Sequence, residues 1–153
     1  MSDTPRSTRP MKYQLAGTGT QRAVDPRARR PTRPPVLVVD DDADMVRFIG
    51  AVLQSHGVET VAAFDAIQGF LVAQRQQPAA ILVDWHMPAG GGPQLLRRLH
   101  EQAKTTAIPV VVITADTSET LPELATGLGA RALLAKPVTA EQLFEAVRGH
   151  VGL

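Results

Sequence analysis

No cysteine occurs among the 153 residues. Disulfide frameworks, thiolate zinc sites and cysteine nucleophiles are thereby excluded, and the composition fits the cytoplasm. Long apolar stretches are missing as well: none approaches the about 20 residues of a membrane helix, and the N-terminus lacks the apolar segment of a secretory signal. The expectation is a soluble, cytoplasmic protein. Acids are scarce at one end only. Residues 1–35 hold eight Lys or Arg against Asp3 and Asp25, net +6, whereas the remainder holds eight basic and thirteen acidic residues, net −5.

What is present divides the chain at the same point. Residues 1–35 mix Ser, Thr, Pro, Gly and Arg, show no hydrophobic period and end in Arg30-Pro31-Thr32-Arg33-Pro34-Pro35. Such a segment cannot bury enough surface to offset its ordering entropy, so a disordered or polyproline-like extension is expected. It reads as a solvated leader, with Met11 as another possible start. Alternatively it is a basic arm making weak contacts with nucleic acid, anionic lipid or the acidic face of its own domain. Its composition also resembles an organelle transit peptide. From residue 36 to 153 a single domain is expected, with 44% hydrophobic residues overall supplying one core.

Within that domain, short β-branched runs alternate with segments of helical period. Strands are predicted at 36–40, 58–62, 79–84, 109–113 and 131–135. Helical stripes are formed by Met45, Ile49, Val52 and Leu53, by Phe64, Ile67, Phe70 and Leu71, and by Leu95, Leu96 and Leu99. The segment 117–129 predicts the least stable helix, because Pro122 fits only a first turn and Gly127 and Gly129 loosen its end. Thr139-Ala140-Glu141-Gln142 is a capping-box pattern opening a last helix whose Leu143, Phe144 and Val147 face inward. Five such βα units imply an α/β fold, a doubly wound parallel five-stranded sheet with right-handed crossovers.

Polar residues stand where the apolar runs end. Asp40-Asp41-Asp42 follow Val36-Leu37-Val38-Val39, Asp84 follows Ile81-Leu82-Val83, Thr114 follows Val110-Val111-Val112-Ile113, and Lys136-Pro137 follow Leu133-Leu134-Ala135. In a parallel sheet these tips share the edge where open α/β sheets bind ligands. Carboxylates, a hydroxyl and an ammonium gathered there suit a divalent cation and a phosphoryl group. Taken singly, each has a plainer reading: a helix N-cap cluster for Asp40 to Asp42, a strand-end acid for Asp84, a turn hydroxyl for Thr114, a solvated charge for Lys136.

The ordered pieces VLVVDDD, ILVDWHMP, VVVITA and LLAKPV, over residues 36–153, resemble the CheY-like receiver domain of bacterial response regulators in two-component systems. That resemblance implies the flavodoxin-like strand order 2-1-3-4-5, with Asp84 as phosphoryl acceptor. It also implies Mg²⁺ held by Asp41 and Asp84, by Asp40 through water, and by the main-chain carbonyl of His86. Lys136 and Thr114 would meet phosphoryl oxygens, with the amides of Trp85, His86 and Ala115 as further donors, and Lys136-Pro137 would be cis. His86 and Asp116 occupy positions that tune phosphate lifetime. Implied partners are a histidine kinase or phosphotransfer protein, docking near Met45, Val46 and Ile49, and a target on the face built from the fourth helix, fifth strand and fifth helix. With the last helix ending near Val151-Gly152-Leu153, no DNA-binding output domain is expected, and the receiver would act alone as a phosphoryl acceptor rather than a conventional enzyme.

Two departures stand out. Met87-Pro88 is followed by Ala89-Gly90-Gly91-Gly92-Pro93, with Gly91 where many receivers carry an acid, so a looser loop is expected. Leu133 stands at the switch position where an aromatic is usual, which favours a pseudo-receiver or scaffold that signals without phosphate. A receiver governing the basic arm is another alternative. A hydrolase with an Asp nucleophile is disfavoured by the chain length and by Trp85 and His86 standing where a second acid would follow Asp84.

Overall fold

The computed structural model describes residues 33–152. The expectation for residues 1–32 lies outside the described residues. Ten elements alternate: β1 (Val36–Val39), α1 (Ala43–Ser55), β2 (Thr60–Ala63), α2 (Ala66–Gln76), β3 (Ala80–Asp84), α3 (Gly91–Glu101), β4 (Val110–Thr114), α4 (Leu121–Gly127), β5 (Ala132–Ala135) and α5 (Ala140–Arg148). The five strands form one parallel sheet in the order β2-β1-β3-β4-β5.

The apolar strands are continuous because both sheet faces are covered. Alternate side chains of β1 divide between two cores. Leu37 and Val39 join Leu95, Leu96 and Leu99 of α3 and Leu121 of α4 on one face. Val36 and Val38 join Ile49 and Leu53 of α1 and Leu143 and Val147 of α5 on the other. The helix starts follow the sequence closely. Asp42 caps α1 by accepting from the amides of Asp44 and Met45, and Thr139 with Gln142 closes a full capping box on α5. The weak fourth helix is seven residues long, with its proline in the first turn.

Three expectations are corrected. β2 begins at Thr60 rather than at 58, and Val58 is a buried loop residue. Phe144 is half-buried rather than core, its ring stacked at 3.8 Å on His56 at the end of α1. The largest correction concerns α2, whose inward face is Ala66, Gly69 and Ala73. Phe64, Ile67 and Leu71 point outward, and only Phe70 of the expected stripe packs against the core. The cause is clearance: a Cβ on Gly69 would lie 3.1 Å from Val39 Cγ2 and 3.2 Å from Leu95 Cδ2, so the helix approaches the sheet through its small residues.

The glycine loop also differs from its expected role. Gly91 and Gly92 are buried, and the Gly92 amide donates to the Trp85 carbonyl at 3.0 Å. A Cβ on Gly92 would lie 2.9 Å from Trp85 Cα and 3.0 Å from the Asp84 carbonyl oxygen. These glycines clamp the start of α3 onto the end of β3. Gly92→Ala should therefore cost about 1–3 kcal/mol in urea denaturation. Gly127→Ala, a helical site where an added Cβ meets nothing within 4 Å, should instead gain about 0.5–1 kcal/mol.

Candidate functional site

The carboxyl ends of β1, β3, β4 and β5 bring the four polar tips together. The Asp40 amide extends the sheet by donating to the Ala63 carbonyl at 3.1 Å, which fixes its side chain at the rim just beyond β1. Asp40 and Asp84 are buried, Asp41 is exposed, and one oxygen from each of the three lies within 4.8 Å of the others. Asp42 falls outside this cluster and serves α1 as its cap. The acidic triplet is thus divided, Asp42 capping the helix and Asp40 and Asp41 lying in the carboxylate cluster.

Lys136 supplies the opposing charge. Its amide donates to the Thr114 carbonyl at 2.8 Å, continuing the sheet beyond β5, and the following peptide to Pro137 is cis. Its Nζ lies 3.5 Å from Asp40 Oδ2 and 3.5 Å from Asp84 Oδ2. One ammonium therefore stands against two buried carboxylates. The balance is incomplete: burial, with the Asp84 charge adding to it, raises the Asp40 carboxyl from 3.8 to about 6, despite the Asp42 amide and Lys136 acting the other way. A divalent cation among these oxygens fits that deficit of positive charge.

The buried Thr114 hydroxyl accepts from the Asp116 amide at 3.0 Å. Above it, His86 Nε2 and Asp116 Oδ2 meet at 2.9 Å, joining the loops that follow β3 and β4. This contact with His86, aided by the Ser118 amide, holds the Asp116 carboxyl below its ordinary range. The three amides considered as donors differ. Trp85 N donates to the Ile113 carbonyl at 3.1 Å, so it is committed to the sheet and corrects the expectation of a free donor. His86 N lies 3.3 Å from Asp84 Oδ1, and Ala115 follows Thr114 at the exposed rim.

On α1, Met45 and Val46 are half-buried, but Ile49 is 1% exposed and belongs to the core, so it cannot contribute to a docking surface. Phe48, 41% exposed, is the outward apolar residue there, and the helical stripe missed it because it falls outside the core-facing period.

Comparison with known proteins gives the same frame. The response regulator receiver domain matches residues 36–148. The chain belongs to this family. The Pseudomonas aeruginosa protein PilH is 34% identical over 112 residues, covering 73% of this chain and 93% of PilH. The phosphate regulon transcriptional regulatory protein PhoB of the same species is 32% identical over 108 residues, 71% of this chain but only 47% of PhoB. Among solved structures, chemotaxis protein CheY4 of Vibrio cholerae superposes with a TM-score of 0.73 at 25% identity, covering 78% of this chain and all of CheY4. The protein is therefore a CheY-like receiver domain of the two-component type, a signalling protein rather than a conventional enzyme, and receivers bind Mg²⁺ through an acidic cluster such as the one here. Among the described residues no helix is long and apolar enough to cross a membrane.

Proposed function

We propose that this receiver takes a phosphoryl group on Asp84 from a histidine kinase or phosphotransfer protein and signals through altered protein contacts. The observation that carries the reading is the single Lys136 ammonium set 3.5 Å from both Asp40 and Asp84 at the sheet edge. An Asp84 carboxylate oxygen attacks phosphorus and forms a P–O bond. The P–N bond to the donor imidazole breaks, and its electron pair stays on the nitrogen, which then takes up a proton. Lys136 offsets charge on one phosphoryl oxygen, while the Thr114 hydroxyl and the amides of His86 and Ala115 serve the others. Asp41, Asp84, Asp40 through water, and the His86 carbonyl would hold Mg²⁺, which when bound supplies positive charge offsetting the carboxylates and the phosphoryl oxygens. Water later hydrolyses the acyl phosphate, with the bridge between His86 and Asp116 governing its access.

The donor docks beside α1 around Met45, Val46 and the exposed Phe48, in the cytoplasm. The responding face comprises α4, β5 and α5, where Leu124 is 53% exposed and β5 is a sheet edge. Domain organisation follows the same reading, a basic extension over residues 1–35 before a receiver over 36–153. A second reading, a receiver that signals without phosphate, is favoured by Leu133, which is half-buried against the α2, α3 and α4 core and has no ring to turn.

Incubation with Mg²⁺ and acetyl phosphate separates the two. Intact-mass measurement should show one added phosphoryl group only when both are present. Absence of that increment, with both acetyl phosphate and a phosphohistidine donor, overturns the phosphorylation reading in favour of the second.

A further inference from the structure

The outward face of α2 has no role in the phosphate site. Ile67, 61% exposed, and Leu71, 53% exposed, share one face of the helix at i, i+4 spacing, and Phe64, 45% exposed and just before the N-cap, borders the same depression as Leu71. Three large apolar side chains in a row differ from the scattered exposed residues of an ordinary surface. They are not displaced core residues, because the clearance at Gly69 closes the inward face to them.

The surface beside the stripe is concave. One open depression of about 380 Å³ lies between Ala62, Phe64 and Leu71, and another of about 370 Å³ lies between Leu71, Gln74 and Lys104. Arg75 borders both, and among the described residues no carboxylate lines either. A third cation stands on the α3 side, the Arg98 guanidinium 5.1 Å above the ring of Phe70. Hollows that share Leu71, with Gln68 and Gln74 in their walls and Arg75 and Lys104 as their charged residues, suit an apolar side chain flanked by acids.

We propose that this face is a docking groove for an acidic amphipathic helix of another protein. Its apolar side chains at helical spacing enter the hollows on either side of Leu71, and its carboxylates meet Arg75 and Lys104. A second copy of this chain fits less well. The outward α2 face (Phe64, Ile67, Gln68, Leu71, Gln74, Arg75) carries one charge, Arg75, so a copy brings no carboxylate to the groove, and the Asp65 side chain already caps the helix by accepting from Gln68. A flat membrane surface leaves the hollows unfilled. The apolar area available is on the order of a few hundred Å², well below the roughly 1,200–2,000 Å² of a standard stable interface, so the contact is transient.

The test uses the isotope-labelled full chain and two synthetic helical peptides with the same leucine spacing, one flanked by Glu and the other by Lys. The Glu peptide should shift amide resonances around Ile67, Leu71 and Arg75 and bind at least tenfold more tightly than the Lys peptide. Arg75→Glu should remove that preference, and Ile67→Asp should abolish binding of both while leaving the other resonances in place. Equal affinities for the two peptides overturn the proposal, as do shifts confined to another face or no shifts. Binding to anionic phospholipid vesicles, or self-association in sedimentation, that Ile67→Asp abolishes replaces it with a membrane or a second copy as the occupant.

Discussion

Asp84→Asn is expected to take up no phosphoryl group under conditions that fully modify the wild-type chain. The substitution keeps the shape of the side chain, and its Oδ1 can still accept from the His86 amide, which lies 3.3 Å away. It removes the carboxylate oxygen that the proposed acyl phosphate requires, and an amide cannot take that part. Trp85, the single tryptophan, is buried and directly follows position 84. Its fluorescence should change with Mg²⁺ and again with acetyl phosphate in the wild type, and the second change should vanish in the variant. A phosphoryl increment that persists in Asp84→Asn would place the acceptor elsewhere. Lys136→Ala should retain the acceptor but slow uptake by about 10²–10³-fold, the typical loss when one charge-stabilising donor is removed.

The second large effect is on stability and runs opposite to the loss of a function. In the metal-free protein, Asp40→Asn should be more stable than the wild type above pH 7 by up to about 3 kcal/mol. Asp40 has its folded pKa raised from 3.8 to about 6, first by burial and then by the charge of Asp84. Between about pH 4 and pH 6 the folded state therefore holds more protons at this group than the unfolded chain does. Its contribution to stability is fully present at about pH 4, falls as pH rises through 6, and beyond that leaves a buried charge that costs free energy. Asparagine lacks that charge, so its advantage should shrink to nothing as pH falls toward 4. Saturating Mg²⁺ should stabilise the wild type more than the variant and narrow the gap. Urea denaturation of both proteins across this range, with Mg²⁺ and with a chelator, checks the sign. A wild type that gains on the variant as pH rises would contradict it.

Alternation of β-branched runs with helical periods was enough to read the five βα units, and the polar tips of four strands located the site edge. Strand order was not legible from periodicity and came with the family resemblance, which the sheet matches. The structure departs from sequence expectation mainly where packing distance decides. On α2 two interleaved stripes share the helical period, and volume favoured Phe64, Ile67 and Leu71, yet the close approach at Gly69 reserves the inside for Ala66, Gly69 and Ala73. Similarly, three consecutive glycines suggested a slack loop, whereas Gly92 is needed for contact with the backbone of Trp85. Hydrogen-bond competition explains the Trp85 amide: its sequence position beside Asp84 suggests a free donor, but the ladder to β4 claims it first. Ile49 is apolar and on α1, which points to docking surface in the sequence, yet one residue's rotation separates it, buried, from the exposed Phe48.

The Thr114 hydroxyl links the proposed phosphate site to the chain beyond it. Its oxygen receives the Asp116 amide, and the Asp116 carboxylate in turn receives the Ser118 amide at 2.8 Å and meets His86. A rotation of that oxygen toward an occupied Asp84 surrenders the first of these bonds, and the approach to α4 then loses its anchor at the start. If Asp84 takes the phosphoryl group as proposed, a chain without an aromatic lever at position 133 would carry information about occupancy along the backbone of residues 114–120.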